Sequence, residues 1–283
     1  MAMRLSVIIC TKNRRDSLLA AIASLGECRF RKPWEIIVVD NGSSDDTSDA
    51  ARRALSKLPI PSRVIYEEKR GNGHGRNAAV AIAAGEIAFF TDDDCLVDVN
   101  ALEALDREFE DQQLGFVAGR IDLFNPLDYL CCYFYRSTPL YFRKPWFLQP
   151  GFVQGSNMAF RLHPIRGGVG LFDPIFGAGA RFAGEDLELA MRFLLSGWNG
   201  KYSPEVRVRH NHGRSAEDYR KLEHFYDEGV GAYIEKTLSS AKCGVATRAS
   251  IALFMMRLAI RSKPTFQRVS AGRTSYLEAI AQQ

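Results

Sequence analysis

Residues 86–94 read E-I-A-F-F-T-D-D-D, an apolar run that ends abruptly in three aspartates. Glu86–Thr91 has the unbroken hydrophobic character of a strand covered on both faces, as in a parallel sheet between layers of helices. The pattern recurs toward the N-terminus. Leu5–Cys10 and Glu35–Asp40 are apolar and β-branched, and Arg63–Glu67 is a shorter third strand. Helical stretches fall between them, about Ser17–Leu25 and about Asp46–Leu58. The second follows the turn Asn41-Gly42, takes N-cap oxygens from Ser43, Ser44 and Asp45, and is stopped by Pro59 and Pro61. Gly71–Gly75 is a glycine-rich loop feeding a helix over Arg76–Ala84. Four strand–helix alternations in the first hundred residues predict an α/β domain with a doubly wound, mostly parallel sheet flanked by helices.

Downstream, a helix near Val99–Gln112 and a strand near Gly115–Ile121 extend the pattern before it loosens. Residues 124–150 carry Phe124, Tyr129, Tyr133, Phe134, Tyr135, Tyr141, Phe142, Trp146 and Phe147 among prolines. So many aromatics argue against disorder. A helix over Glu185–Ser196 has the buried stripe Leu187, Ala190, Met191 and Leu194, with Gly197 at the C′ position. Tyr202–His210 alternates like a strand. Everything after about Ser215 reads as helical, which places a domain over 1–215 and a C-terminal helical extension over 216–283.

The 283-residue chain is 46% hydrophobic and 25% charged, so it can bury a sizeable core. A net charge of +4 gives no field that would draw in nucleic acid. The late basic residues Arg248, Arg257, Arg261, Lys263, Arg268 and Arg273 share their stretch with one acid, Glu278. They form either a solvated helical face or a patch for anionic lipid or an anionic acceptor. Cys10, Cys28, Cys95, Cys131, Cys132 and Cys243 contain no C-x-x-C pair and read as buried, reduced thiols of a cytoplasmic protein. The N-terminus enters a strand at once, leaving no room for a secretory signal. Ile251–Ile260, the best apolar run, is short and carries Arg257, so membrane contact is expected to be peripheral at most.

In open α/β sheets, ligands bind beyond the carboxyl ends of the strands. Thr11, Asn13, Asp40, the loop to Arg76 and Asp92-Asp93-Asp94 all fall at such ends. Three adjacent acids repel unless a cation sits among them. Asp92 and Asp94, two apart in an extended stretch, can address one partner, and a divalent cation bridging carboxylates and diphosphate would settle the charge. An acidic turn is the plainer alternative. Glu185-Asp186 opens a helix, where acids complement the dipole or, alternatively, take a proton from a hydroxyl. His210 and His212 share one strand face, as metal ligands or as a surface pair. Gly71-Asn72-Gly73-His74-Gly75 departs from the dinucleotide fingerprint, because Arg76 takes the last position and the loop follows the third strand.

These pieces, in this order, resemble the family-2 glycosyltransferases, which have the GT-A fold. The matching segments are S-V-I-I-C-T-K-N-R (6–14), E-I-I-V-V-D-N-G-S-S-D (35–45), G-R-N-A-A (75–79), T-D-D-D-C (91–95), G-S-N-M-A-F (155–160), G-E-D-L-E-L (184–189) and H-N-H-G (210–213). The resemblance implies transfer from a nucleoside-diphosphate sugar, UDP-sugar favoured, to an acceptor hydroxyl with inversion, in cell-surface polysaccharide or glycoconjugate synthesis. It implies that Asp40 reads the donor base with Thr11 and Asn13 beside it, and that Arg76 contacts base or phosphate. Asp92 and Asp93 would lie on the nucleotide, and Asp94, Asp92 and His210 would hold Mn²⁺ or Mg²⁺, with His212 as substitute for His210. Asp186 corresponds to the catalytic base and Glu185 to an acceptor contact; Gly155, Ser156 and Asn157 would floor the donor-sugar and acceptor site. A sugar, lipid-linked or protein acceptor is expected, with the aromatic segment stacking on it or serving as a hydrophobic cover. The tail would serve homodimerisation or attachment at the inner face of the plasma membrane. A sugar-1-phosphate nucleotidyltransferase is a poorer fit, since Thr11-Lys12-Asn13-Arg14-Arg15 lacks the glycines that hold a triphosphate. An inactive nucleotide-sugar-binding scaffold would have lost one of the charged positions.

Overall fold

The computed structural model describes residues 2–131, 133–143 and 146–282. The N-terminal half follows β1 (Leu5–Thr11), α1 (Arg15–Gly26), β2 (Trp34–Asp40), α2 (Thr47–Leu55), β3 (Ser62–Tyr66), α3 (Asn72–Ile82) and β4 (Ile87–Asp92). Then come β5 (Cys95–Val97), α4 (Ala101–Glu108), β6 (Leu114–Leu123), β7 (Leu140–Phe142), β8 (Asn157–Arg161), α5 (Leu162–Arg166), α6 (Glu185–Leu195) and β9 (Asn199–His210). Helices α7 (Ala216–Ser239), α8 (Val245–Arg261) and α9 (Lys263–Ala281) complete the chain. The strands form one nine-stranded sheet in the order β3-β2-β1-β4-β8-β6-β9-β5, with β7 also paired to β9. Following the pairings, β1, β2, β3, β4, β6 and β9 run one way and β5, β7 and β8 the other. The mostly parallel α/β sheet with a helical C-terminal segment is as expected.

The unbroken apolar strands follow from burial on both faces. In β1, Leu5, Val7 and Ile9 pack with α1, α2 and α4 in one core, while Ile8 joins α3, α6 and α7 in the other. Register brings the strand ends to one rim: Thr11 lies opposite Asp40, and Cys10 opposite Asp92.

Several local expectations are corrected. Helix α3 starts at Asn72, so the glycines of 71–75 fall largely within its first turns rather than in a preceding loop. Helix α2 ends at Leu55, before the prolines. Of its three expected capping residues only Asp45 reaches a helical amide, accepting from Thr47 N at 3.0 Å. Ser43 and Ser44 bond Asn13 instead. Gly197 does adopt the left-handed conformation past α6, with φ of 91°. Cys95, Cys131 and Cys243 are buried and Cys10 and Cys28 half-buried, all unpaired; Cys132 lies outside the described residues.

The helices after 215 share the second core with the sheet through Ala232, Tyr233, Ile234, Val269 and Tyr276. Helix α7 begins at a capping box, where Ser215 and Asp218 satisfy each other's backbone amides. Lys236 reaches Asp173 at 2.6 Å and Glu188 of α6 at 2.8 Å. Helices α7 and α9 meet backbone to backbone. A Cβ on Gly231 would stand 2.0 Å from the Val269 carbonyl oxygen, and one on Gly272 would stand 2.1 Å from that of Glu228.

Candidate active site

The carboxyl rim of the sheet opens into a cleft of about 860 Å³. Its floor carries Thr11, Arg76, Asp92, Asp93, Asp94, Gly155, Ser156, Glu185, Asp186 and His210, most of the polar residues singled out from the sequence. Five of them sit at the end of an element: Thr11 on β1, Asp92 on β4, Glu185 and Asp186 on the first turn of α6, His210 on β9. Backbone regularity therefore fixes where they point.

Asp92, Asp94, Cys95 and His210 offer ligand atoms that all lie within 4.8 Å of one another. His210 Nε2 is 3.0 Å from Asp94 Oδ1. The pair is set by the backbone, because β5 and β9 place Cys95 opposite His210 and Asn211 N donates to the Asp94 carbonyl. Burial raises the Cys95 thiol well above its ordinary range, so it stays protonated and is a poor ligand. What remains is two carboxylates and one imidazole, a donor set that could hold a divalent cation. His212 stands apart: its Nδ1 accepts from Arg214 N at 2.9 Å, and its Nε2 lies 4.0 Å from Cys131 Sγ. The geometry thus brings in His210 and leaves its substitute out.

Five carboxyl groups crowd the cleft floor, and two arginines are interleaved with them. Arg14 reaches Asp93 at 3.1 Å and Asp94 at 2.6 Å. Arg76, fully enclosed over the rings of Phe90 and Phe172, pairs with Glu185 at 2.5 Å and faces Asp92 at 3.7 Å. Thr11 donates to Asp93 at 2.7 Å. Burial would raise the Asp94 carboxyl, yet hydrogen bonds to His210 and Arg14 hold it below its usual range. Burial pushes Asp93 up to about 7 against the pull of Arg14, and raises Asp92 despite Arg76.

Asp186 accepts from Gly155 N and from Leu187 N, each at 2.7 Å. Even so, burial and the neighbouring Glu185 charge raise it to about 7. A carboxylate so placed is a competent proton acceptor near neutrality. Glu185 is committed to Arg76.

Three residues expected at the site lie outside the cleft lining and are bonded within the protein. Asp40 accepts from Ser43 N at 2.8 Å and from the Ser48 hydroxyl, closing the β2–α2 loop. Asn13, at φ of 52°, accepts from Ser44 N at 2.7 Å in the same loop. Neither lines the cleft. Asn157 lies beneath it, donating to the carbonyls of Arg120 and Val206 where β9 bulges against β6. That amide fits only because position 119 is glycine: a Cβ added there would stand 2.2 Å from Asn157 Nδ2.

The cleft also holds residues the sequence did not single out. Lys12, Arg14, Arg70 and Arg214 bring four cations besides Arg76. In the same cleft as Asp186, α7 presents Tyr219, Tyr226 and Tyr233, seven residues apart and so on one helical face. Tyr219 and Tyr226 stack at 6.0 Å, and Tyr129 from the aromatic segment lies 5.3 Å from Tyr219. The seven-residue tyrosine spacing was the signal available for this wall.

Comparison with known proteins gives these features a lineage. The sequence profile of glycosyl transferase family 2 matches residues 6–168, more than half of the chain. The chain is 32% identical over 117 residues to the uncharacterized glycosyltransferase YfnE of Bacillus subtilis (strain 168), covering 41% of this chain and 30% of that one. It is 26% identical over 211 residues to the O-antigen chain rhamnosyltransferase WbaN of Salmonella anatum, covering 70% and 62%. In both cases it spans less than two thirds of the relative's length. Among solved structures, the mannosyltransferase PcManGT from Pyrobaculum calidifontis, in complex with GDP-Man and Mn²⁺, has the same fold at a TM-score of 0.69 and 18% identity, covering 99% of this chain and 76% of that one. The chain belongs to glycosyl transferase family 2.

Proposed function

We propose that this protein transfers a glycosyl group from a nucleoside-diphosphate sugar, a uridine diphosphate sugar first, to an acceptor hydroxyl with inversion at the anomeric carbon. The observation that carries this reading is one cleft holding both the Asp92–Asp94–His210 cluster and the raised carboxyl of Asp186. Asp94, His210 and Asp92 are the residues that would hold a divalent cation, whose chemistry is to neutralise charge on the departing diphosphate. Asp186 takes the proton of the acceptor hydroxyl as its oxygen bonds to the anomeric carbon. The bond from that carbon to the diphosphate breaks, and its electron pair leaves with the nucleotide. Arg14 and Arg76 offset the acids around the leaving group, with Lys12 and Arg70 nearer the cleft mouth. Thr11, Gly155 and Ser156 shape the floor, and the tyrosines of α7 form the acceptor wall. Enclosure between that wall and α6 holds the two reactants in line. The acceptor in this reading is a growing cell-surface polysaccharide or glycoconjugate.

The test is turnover of uridine and guanosine diphosphate sugars with Mn²⁺, with and without a chelator, and the product's anomeric configuration read by NMR. Single displacement requires the configuration to invert. Retention, or turnover indifferent to the chelator, would overturn the scheme.

A further inference from the structure

Helix α8 carries apolar residues all round, yet only one side of it faces the protein. Ile251 and Thr247 are buried, and Phe254 packs on Phe147 at 5.5 Å. The opposite side carries Val245, Ala249, Ala252, Leu253, Met256 and Ile260, spaced three and four apart and therefore on one stripe. Val245 is 86% exposed, Met256 55% and Ile260 78%. Trp146, next to the Phe147 that anchors α8, is 68% exposed. Solvated apolar stripes of this extent mark a contact surface.

The charges around the stripe identify what it meets. Of the basic residues late in the sequence, Arg268 pairs with Asp227 and Arg273 with Glu235 of α7, while Arg248 donates to the Leu238 carbonyl at the end of α7. Arg257, Arg261 and Lys263 have no ion-pair partner among the described residues, and no acid occurs between Val245 and Lys263. A second copy docked on this face would bring the same cations against one another. No described helix is long and apolar enough to cross a membrane, so the stripe is suited to lie along a surface. We infer that α8, with Trp146, seats the protein on the headgroup layer of an anionic phospholipid bilayer: the stripe enters the apolar boundary, Trp146 sits at the interface, and Arg257, Arg261 and Lys263 meet lipid phosphates.

Sedimentation of the full chain with vesicles tests this without any donor or turnover, so it stands or falls separately from the proposed reaction. Vesicles of phosphatidylcholine mixed with phosphatidylglycerol should carry the protein down, and phosphatidylcholine alone should do so far less. High salt should release it. Arg257→Gln with Arg261→Gln should lower partitioning by roughly thirtyfold. Met256→Ser with Ile260→Ser should lower it by about tenfold or more. These side chains are exposed, and an unchanged melting temperature would show each variant folded. Absence of binding to the anionic vesicles, or variants that bind as wild type does, would overturn the inference. So would self-association that Met256→Ser abolishes in a protein indifferent to vesicles, since the stripe would then join copies of the chain.

Discussion

Two aspartate-bearing loops flank the end of β1 on the rim of the sheet, and they are built in opposite ways. After β2, Asp40, joined by Asn13 from the β1–α1 connection, is matched donor for acceptor by Ser43, Ser44 and Ser48. After β4, Asp92, Asp93 and Asp94 share two arginines with Glu185 and Asp186, and burial holds several of these carboxyls above their ordinary range. The first loop is closed on itself by these bonds. The second keeps a surplus of buried negative charge, which costs stability and persists where chemistry uses it. A polar residue at a strand end is thus diagnostic through its neighbours rather than its position.

The sharpest way to break the contrast is Asp186→Asn, which should reduce kcat by about two to four orders of magnitude while leaving the fold intact. Asp94→Asn should weaken Mn²⁺ binding, measured by calorimetry, by roughly a hundredfold. If Mn²⁺ binds the variant as tightly as wild type, the cluster has been misassigned. The wild-type rate should fall about tenfold per pH unit below about 7, because Asp186 is then protonated and accepts nothing. Stability runs the other way. A carboxyl raised by burial favours the folded state most at pH below its ordinary range, and that contribution is lost as pH rises toward about 7. Asp186→Asn should flatten this slope in thermal melts. The smallest effect belongs to the closed loop: Ser48→Ala should lower stability by about 1 kcal/mol in urea titration and leave Mn²⁺ affinity unchanged.

The parallel half of the sheet was legible because burial on both faces writes an unbroken apolar run, as in Leu5–Cys10 and Glu35–Asp40. Strands β5 and β7, three residues each, carry no such mark, since pairing with distant β9 alone makes them strands. The acids of the site were legible from their strand and helix ends. Arg14 was not, because its reach to Asp93 and Asp94 depends on where α1 begins. Asn157 misled for the converse reason: the G-S-N segment lies at the cleft, but alternation along β8 turns its last member down into the β6–β9 bulge.

The glycine seam between α7 and α9 gives the last helix an influence out of proportion to its distance from the chemistry. Helices that touch through their main chains cannot slide independently, so α9 works as a splint for the tyrosine wall. A chain cut after α8 would leave that wall leaning on one side only. If the proposed reaction holds, it would be expected to bind Mn²⁺ as before yet grip acceptors loosely, so that damage to the scaffold reads out as a rise in acceptor KM.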